Sequence, residues 1–146
     1  MSKKISDLYY PMQKSVKAAI DEMNASEKLK ELNIDGVAIV ETKRELTTQM
    51  AYYSRGRMEV ADVKRMYAAA GLYTPSETEC KTKNTNTLSS KHIEGKAVDI
   101  CPVRNGALFW NASSEVWEII GEIGEKNGLK WGGRWKDFKD SPHFEI

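Results

Sequence analysis

The segment SSKHIEGKAVDICPV, residues 89–103, passes from a polar loop into a strand. Its part Ala97–Val103 alternates in polarity and carries β-branched residues, which predicts a strand that ends near the proline. Gly95 permits a turn between the loop and the strand. The segment therefore lets a loop histidine, His92, and a strand carboxylate, Asp99, converge on one point.

The hydrophobic spacing on either side predicts a mixture of helices and strands. Residues 5–23 carry apolar side chains at three- and four-residue steps, which is typical of an amphipathic helix. The other predicted elements are a strand over Ile34–Val40, helices over 45–55 and 59–70 separated by Gly56 and stopped by Gly71, a long loop over Thr74–Ser90, a helix capped by Ser114 and closed by Gly128, and a terminal strand HFEI. Without a regular βαβ alternation, this pattern indicates an α+β fold with a small antiparallel sheet flanked by helices.

Length and charge limit the classes of function. The 146 residues suit one domain, 1–146, and carry 22 Lys and Arg against 21 Asp and Glu. This balance gives no basic face for nucleic acid, and no apolar run approaches the roughly 20 residues that span a bilayer. The first 15 residues lack the apolar stretch of a signal peptide, so we expect synthesis in the cytoplasm, with Cys80 and Cys101 reduced. We expect a monomer.

The chain has only two histidines, and each lies near a carboxylate. His92 precedes Asp99, and His143 follows Asp140 in KDSPHFEI. Imidazole and carboxylate are normal zinc ligands, and catalytic sites use three protein ligands while leaving a fourth position for water. Asp140, on a segment stiffened by Pro142, is a candidate general base that accepts a proton from water and returns it to a leaving amine.

The spacing alone leaves other interpretations open. A histidine near an aspartate is often a solvated or core pair without a metal. A Ser/His/Asp nucleophilic site could use Ser90 or Ser141, although neither serine has the G-x-S-x-G context. Residue types and spacing do not choose among these three.

Two separated motifs resemble those of a known family. SKHIEGKAVDI, from Ser90 to Ile100, is similar to the S-x-H-x-x-G-x-A-x-D signature of the zinc D-alanyl-D-alanine carboxypeptidase and L-alanyl-D-glutamate endopeptidase family. WGGRWKDFKDSPHFE, from Trp131 to Glu145, resembles the C-terminal signature of its bacteriophage endolysin and small cell-wall-hydrolase branch. A third, weaker similarity runs from Glu41 to Arg57. Together these motifs cover most of the chain after residue 41.

The resemblance implies roles for particular residues. His92, Asp99 and His143 would bind Zn²⁺, and Asp140 would be the catalytic carboxylate. Arg44 matches an arginine that stabilises the oxyanion or holds a substrate carboxylate. The weaker substrate-binding candidates are Gln49, Arg57 and Ser90, for which structural roles are the alternative, Ser90 orienting the loop.

The sequence departs from the family pattern at three places. The stretch between Arg57 and His92 is longer than in compact relatives, which suggests an insertion that reshapes the cleft. Arg134 replaces a frequent aspartate, which would reverse a charge near the site, and Met58 replaces a threonine. These departures concern substrate preference more than the chemistry.

The resemblance implies a phage endolysin that hydrolyses the L-alanyl-D-glutamate bond of the peptidoglycan stem peptide through a zinc-activated water, without a separate cell-wall-binding domain. Such an enzyme would wait in the host cytoplasm until a holin-type partner opens the membrane, and would then act on the periplasmic wall. A D,D-carboxypeptidase that removes terminal D-Ala is the enzymatic alternative. A catalytically silent, zinc-containing cell-wall-binding module is the alternative of another class.

Overall fold

The computed structural model describes residues 1–146 and contains one antiparallel sheet in the spatial order β1-β2-β5-β4, with the short β3 also paired to β2. The strands are β1 (Gly36–Glu41), β2 (Ala97–Arg104), β3 (Ala107–Leu108), β4 (Lys130–Trp131) and β5 (His143–Glu145). Helices surround this sheet, so the predicted α+β class with a small antiparallel sheet is confirmed.

Six α-helices accompany the strands. They are α1 (Tyr10–Ala25), α2 (Glu27–Glu31), α3 (Leu46–Ser54), α4 (Val60–Ala69), α5 (Glu77–Lys81) and α6 (Ser114–Lys126). Two 3-10 turns, Ile5–Asp7 and Gly132–Arg134, complete the regular structure. None of the helices is long and apolar enough to span a bilayer.

The main core lies between one face of the sheet and helices α1 and α6. Helix α1 begins with a proline in its first turn and buries a stripe of side chains spaced as an amphipathic helix requires. From the sheet, Val98, Ile100 and Phe144 enter the same core. Because successive strand residues point to opposite faces, Asp99 and His143 must lie on the other face.

Glycines in α6 allow the sheet to pack closely. A Cβ at Gly124 would lie 2.2 Å from a ring carbon of Phe144, and one at Gly121 would lie 2.3 Å from the ring of Trp131. Both aromatic rings therefore rest directly on the helix backbone. This contact fixes the position of β5, which carries the C-terminal histidine.

A second, smaller core joins α3, α4 and α5 through Ala51, Val63, Tyr67 and Cys80. Val63, Tyr67 and Cys80 lie in the stretch between Arg57 and His92 that the sequence indicates as an insertion. The predicted loop over Thr74–Ser90 is wrong in its first part, because α5 forms there. Ser76 accepts from the Glu79 backbone N–H, while the Glu79 side chain accepts from the Ser76 N–H. This S-x-x-E capping box was a readable signal for a helix start.

Three other boundaries differ from prediction. The first predicted helix is divided into the 3-10 turn and α1, and α2 forms in a polar segment for which no element was predicted. Ser113, not Ser114, caps α6, and its hydroxyl accepts from the Val116 N–H.

Strand β2 runs one residue past the predicted Ala97–Val103 and includes Pro102. Pro102 lies opposite Val37 in β1, and its carbonyl accepts from the Phe109 N–H on the side of β3, 2.8 Å away. In a strand, the N–H and C=O of one residue point the same way, so the missing N–H also faces the β3 side. The pairing between β1 and β2 therefore needs no donor from Pro102.

The close contact at α6 gives a test of the fold. Gly124→Ala should lower the free energy of unfolding by on the order of 1–2 kcal/mol, because overlap with the enclosed Phe144 ring outweighs the helix propensity gained by alanine. Chemical denaturation measures this change. Glu122→Ala, on the exposed face of α6, is the control and should change stability by less than about 0.5 kcal/mol. Equal stability of the two variants would contradict the proposed contact.

Candidate active site

Strand register brings three polar residues into one row on the face of the sheet opposite the core. Asp99 in β2 lies directly opposite His143 in β5 and, on its other side, opposite Glu41 in β1. Simple alternation would place Glu41 on the same face as Ile39, which packs against the core. A register shift between Ile39 and Glu41 reverses this, because a bulge residue changes the face of everything that follows it.

The loop before β2 delivers His92 to the same row. Its backbone N–H donates to Ser90 Oγ at 3.3 Å, and its carbonyl accepts from the N–H groups of Arg44 and Gly95 at 3.0 and 3.1 Å. Gly95 has φ +69°, and a Cβ there would lie 3.0 Å from the Asp7 carbonyl. The turn therefore requires glycine, and it leaves the His92 side chain only 3% exposed.

The side chains of His92, Asp99 and His143 meet at one point. Asp99 Oδ1 lies 3.2 Å from His92 Nε2 and 3.3 Å from His143 Nδ1. One potential ligand atom from each residue lies within 4.8 Å of the others. The structure thus brings together the three residues that the sequence indicates as metal ligands.

Hydrogen bonds on the outer side of each imidazole define which nitrogen carries the proton. His92 Nδ1 lies 2.7 Å from the Thr42 carbonyl, and His143 Nε2 lies 2.9 Å from Glu145 Oε2. A carbonyl and a carboxylate accept, so these nitrogens donate. In the neutral rings, the opposite nitrogens then present lone pairs towards Asp99. This outer arrangement is the one that orients histidine ligands in metal sites.

Asp99 Oδ1 is buried and has no aligned hydrogen-bond donor. Burial raises the pKa of Asp99, but His143 and His92 outweigh that effect and hold the pKa well below its usual range. The ionised Asp99 oxygen and one ring nitrogen of each histidine thus lie at short range of one another. A divalent cation would satisfy all three, and the two-nitrogen, one-oxygen donor set fits Zn²⁺.

Asp140 lies beside this cluster on the segment after the 3-10 turn. Burial, followed by the negative charge of Asp99, raises the pKa of Asp140 above its ordinary value. The approach depends on Gly132, where a Cβ would lie 2.5 Å from the Asp140 carbonyl and 3.2 Å from His143 Cβ. The glycine lets the general-base candidate and the histidine lie close to the turn.

Arg44 approaches from the end of β1. Its Nε donates to Glu41 Oε1 at 2.7 Å, one terminal nitrogen donates to the other Glu41 oxygen, and the second terminal nitrogen donates to Gln49 Oε1 at 2.7 Å. Burial lowers the pKa of Arg44, but the bonds to Glu41 outweigh it and raise the pKa. The guanidinium remains charged, and two of its five N–H groups are not used by these bonds.

The other predicted substrate-binding residues occupy different places. Ser90 lines the cavity and also supports His92. Gln49 is fully buried and Arg57 is exposed, and neither lines the cavity. Arg57 donates to the carbonyls of Tyr53 and Thr85 at 2.8 and 3.0 Å. Direct substrate contact by Gln49 and Arg57 therefore stays a prediction, while their observed bonds join α3 to the loop before β2.

The cluster opens into a cavity of about 360 Å³. Its walls combine the predicted site residues with a polar loop and two aromatic rings. The lining residues are Arg44, Tyr52, Asn84, Thr85, Thr87, Ser89, Ser90, Lys91, His92, Asp99, Trp135, Asp140, His143 and Glu145. The loop residues come from the long stretch between Arg57 and His92, so this stretch does shape the cleft.

Sequence reasoning missed several residues around the cluster. Glu145 had a readable signal, because the H-x-E spacing puts it on the same strand face as His143. Glu41 and Thr42 had no such signal in the sequence. A bulge turns Glu41 towards the site, and Thr42 makes its contact through a backbone carbonyl. The ring centre of Trp135 lies 5.1 Å from the ring centre of His143.

Arg134 does not reverse a charge at the site, as its position in the motif had suggested. Its guanidinium lies 2.5 Å from Glu118 Oε1 and 3.0 Å from Glu125 Oε1, both on α6, and it is absent from the cavity wall. It therefore fastens the turn to α6. Met58 is exposed and also lies outside the cavity.

Sequence comparisons agree with this geometry. Residues 83–146, which carry all three clustered residues, match the model of a peptidase family described as D-alanyl-D-alanine carboxypeptidase. The chain is 29% identical over 119 residues to the peptidoglycan L-alanyl-D-glutamate endopeptidase CwlK of Bacillus subtilis (strain 168), an alignment that covers 75% of this chain and 60% of CwlK. The C-terminal part of the chain is thus similar to this peptidase family.

A second relative is the L-alanyl-D-glutamate peptidase of Listeria phage A118, which is 29% identical over 63 residues. This alignment covers 42% of this chain and 22% of the phage protein. The chain thus spans about 60% of the length of CwlK and less of the phage relative.

Two solved structures share the fold. The L-Ala D-Glu endopeptidase ChiX of Serratia marcescens has a TM-score of 0.61 and 18% identity, with 97% of this chain and 82% of ChiX covered. A Zn(II) complex of a mutant of the vancomycin-resistance D,D-pentapeptidase VanY has a TM-score of 0.51 and 14% identity, with 95% of this chain and 72% of VanY covered. The resemblance seen in the motifs is therefore confirmed for residues 83–146, and the fold is shared over nearly the whole chain.

The cluster and its outer bonds predict a graded effect on metal binding. Alanine at His92, Asp99 or His143 should abolish stoichiometric zinc binding, because each removes one of three ligands. Glu145→Ala should retain the site but weaken it about 10- to 100-fold, because it releases the outer nitrogen of His143. Competition with a chromogenic chelator measures both effects. Asp21→Ala, an exposed aspartate on α1, is the control, and normal zinc affinity in all three ligand variants would contradict the site.

Proposed function

We propose that this chain is a zinc peptidase that hydrolyses the L-alanyl-D-glutamate bond of peptidoglycan stem peptides. The observation that carries the proposal is the buried Asp99 Oδ1, which has no aligned hydrogen-bond donor. It lies at short range of one ring nitrogen of His92 and one of His143. Two relatives, CwlK and the phage peptidase, bear the name of this activity. The polar cavity beside the cluster gives a peptide access to it.

His92, Asp99 and His143 would hold the zinc ion. When bound, zinc supplies Lewis acidity, which polarises a peptide carbonyl and lowers the pKa of water towards about 7. The chain adds the proton transfer: Asp140 accepts a proton from the attacking water and delivers it to the leaving amine. Asp140 lines the same cavity as the three clustered residues, which gives its carboxylate access to both partners.

Arg44 supplies positive charge at the cavity wall. Its two remaining N–H groups can donate to an oxygen of the substrate, either the carbonyl oxygen that becomes negative or a substrate carboxylate. Glu41 holds the guanidinium through two bonds, so little reorganisation is needed when the substrate binds. Tyr52, whose ring centre lies 5.0 Å from the guanidinium carbon, adds a second restraint.

Removal of terminal D-alanine is the second candidate activity, since the matching family model is described as a carboxypeptidase. The same zinc, base and arginine would serve that reaction. The two activities differ only in the bond placed at the metal and in the need to bind a terminal carboxylate.

The biological setting follows as part of the proposal. We infer a role in host lysis from the phage origin of one relative. A holin-type protein that permeabilises the membrane would then give the enzyme access to the wall. We infer that the protein acts as a monomer.

The role of Asp140 is tested by Asp140→Asn. The amide keeps the volume of the side chain but cannot accept the proton, so turnover should fall about 10²- to 10⁴-fold while zinc content stays normal. Steady-state cleavage of a defined muropeptide measures the change. Asp137→Asn, in the same exposed loop, is the control. Wild-type turnover in the Asp140 variant would remove it from the mechanism, and loss of zinc would make it a ligand.

The bond that is cut distinguishes the candidate activities. Digestion of Gram-negative peptidoglycan by zinc-loaded protein should expose new D-glutamate amino termini and leave L-alanine on the lactyl group of muramic acid. Mass spectrometry of the products identifies these ends. Release of free D-alanine from pentapeptide stems, with the L-alanyl-D-glutamate bond intact, would establish the carboxypeptidase. Cleavage of neither bond would reject both enzymatic candidates.

A further inference from the structure

Gln49 is a buried amide whose hydrogen bonds reach two walls of the cavity. It lies on α3 with no exposed surface. Its Oε1 accepts from Arg44 at 2.7 Å, while its Nε2 donates to the Thr87 carbonyl at 2.8 Å and lies 3.4 Å from Thr85 Oγ1. Gln49 itself is not part of the cavity wall, but all three of its partners are.

These partners require a side chain that both accepts and donates a hydrogen bond. The guanidinium only donates hydrogen bonds, and the Thr87 carbonyl only accepts them. A bridge between them therefore needs an acceptor and a donor on one short side chain, and glutamine supplies both. A carboxylate would place an acceptor against the carbonyl, and an apolar side chain would leave one Arg44 N–H and the Thr87 carbonyl without this partner.

The loop on one side of the bridge has few other buried attachments. Thr85 and Thr87 belong to the segment between α5 and β2, whose residues are mostly exposed. Thr87 and Ser89 bond mainly to each other, with Thr87 Oγ1 3.1 Å from the Ser89 carbonyl. Arg57 holds the Thr85 carbonyl, but from the solvent side. Gln49 is thus the internal anchor of this wall.

We propose that Gln49 is a positioning residue, which acts on the substrate through Arg44 and the Thr85–Thr87 wall instead of by contact. Glu41 restrains one edge of the Arg44 guanidinium, and Gln49 restrains the other. Loss of the glutamine bridge frees one terminal nitrogen of Arg44 and widens the distance to the opposite loop. The proposal rests on the peptidase function for its kinetic consequence, but not for its structural one.

The kinetic test is a double-mutant cycle on the full-length, zinc-loaded protein. Gln49→Met should lower kcat/KM for a defined muropeptide about 10- to 100-fold, and Gln49→Glu should also lower it, with zinc content unchanged in both. In an Arg44→Ala background, Gln49→Met should cost clearly less than in the wild-type background, because the route through Arg44 is already lost and only the route through the Thr85–Thr87 wall remains. Equal losses in both backgrounds, or wild-type kinetics in both Gln49 variants, would overturn the proposal.

Gln13→Met is the matched control. Gln13 is another amide that donates to a backbone carbonyl, that of Leu8 at 2.9 Å, but it lies on α1 and does not line the cavity. It should leave kcat/KM unchanged. A loss equal to that of Gln49→Met would show that removing any such amide bond impairs the enzyme, and would overturn the specific role.

A second measurement needs no substrate. Hydrogen exchange of the amides in residues 84–90 should accelerate at least tenfold in Gln49→Met and stay unchanged in Gln13→Met, since only the first loses the loop anchor. Unchanged exchange in the Gln49 variant would overturn the proposal. If the wild-type protein cleaves no peptidoglycan bond but the loop still opens in this variant, the positioning role of Gln49 stands and the proposed function fails.

Discussion

The antiparallel pairing of β2 with β5 is the constraint on which the site depends. It sets Asp99 directly opposite His143, and the neighbouring pair, Val98 and Phe144, faces the core. A slip of one residue would bury the polar pair and expose the apolar pair. The hydrophobic core therefore fixes the register, and the register brings two of the three metal-ligand candidates together.

The third candidate, His92, depends on backbone rather than on core packing. Its outer nitrogen is held by the Thr42 carbonyl, and its own carbonyl accepts from Arg44 and Gly95. Thr42 and Arg44 follow directly on β1, so this short segment supports the histidine and provides the guanidinium of the cavity wall. The bulge before this segment turns Glu41 to the same face of the sheet, opposite Asp99 and in contact with Arg44. One irregularity in β1 thus organises the positively charged side of the site.

The sequence was informative where chemistry and pattern coincide. The rarity of histidine, the H-x₆-D spacing and the C-terminal D-x-x-H pointed to the cluster that the fold assembles, and alternation identified β2 and β5. The missed features have a different origin. The bulge at Glu41 contradicts simple alternation, and the contact with Thr42 uses a carbonyl that every residue possesses. Arg134 illustrates the opposite error, since the motif does not show that its side chain pairs with Glu118 and Glu125 on α6 and not with the site.

The shortness of β5 has a consequence for how a metal would enter and leave. The strand has three residues, and its central Phe144 is the only one that packs into the core, against Gly124 of α6. Withdrawal of that ring, together with loss of the short pairings to β2 and β4, would carry His143 away while His92 and Asp99 stay in place. Ion exchange would then follow the local opening of this one strand and not the unfolding of the domain. A bound ion would in turn slow that opening, so occupancy and the order of the strand would rise and fall together.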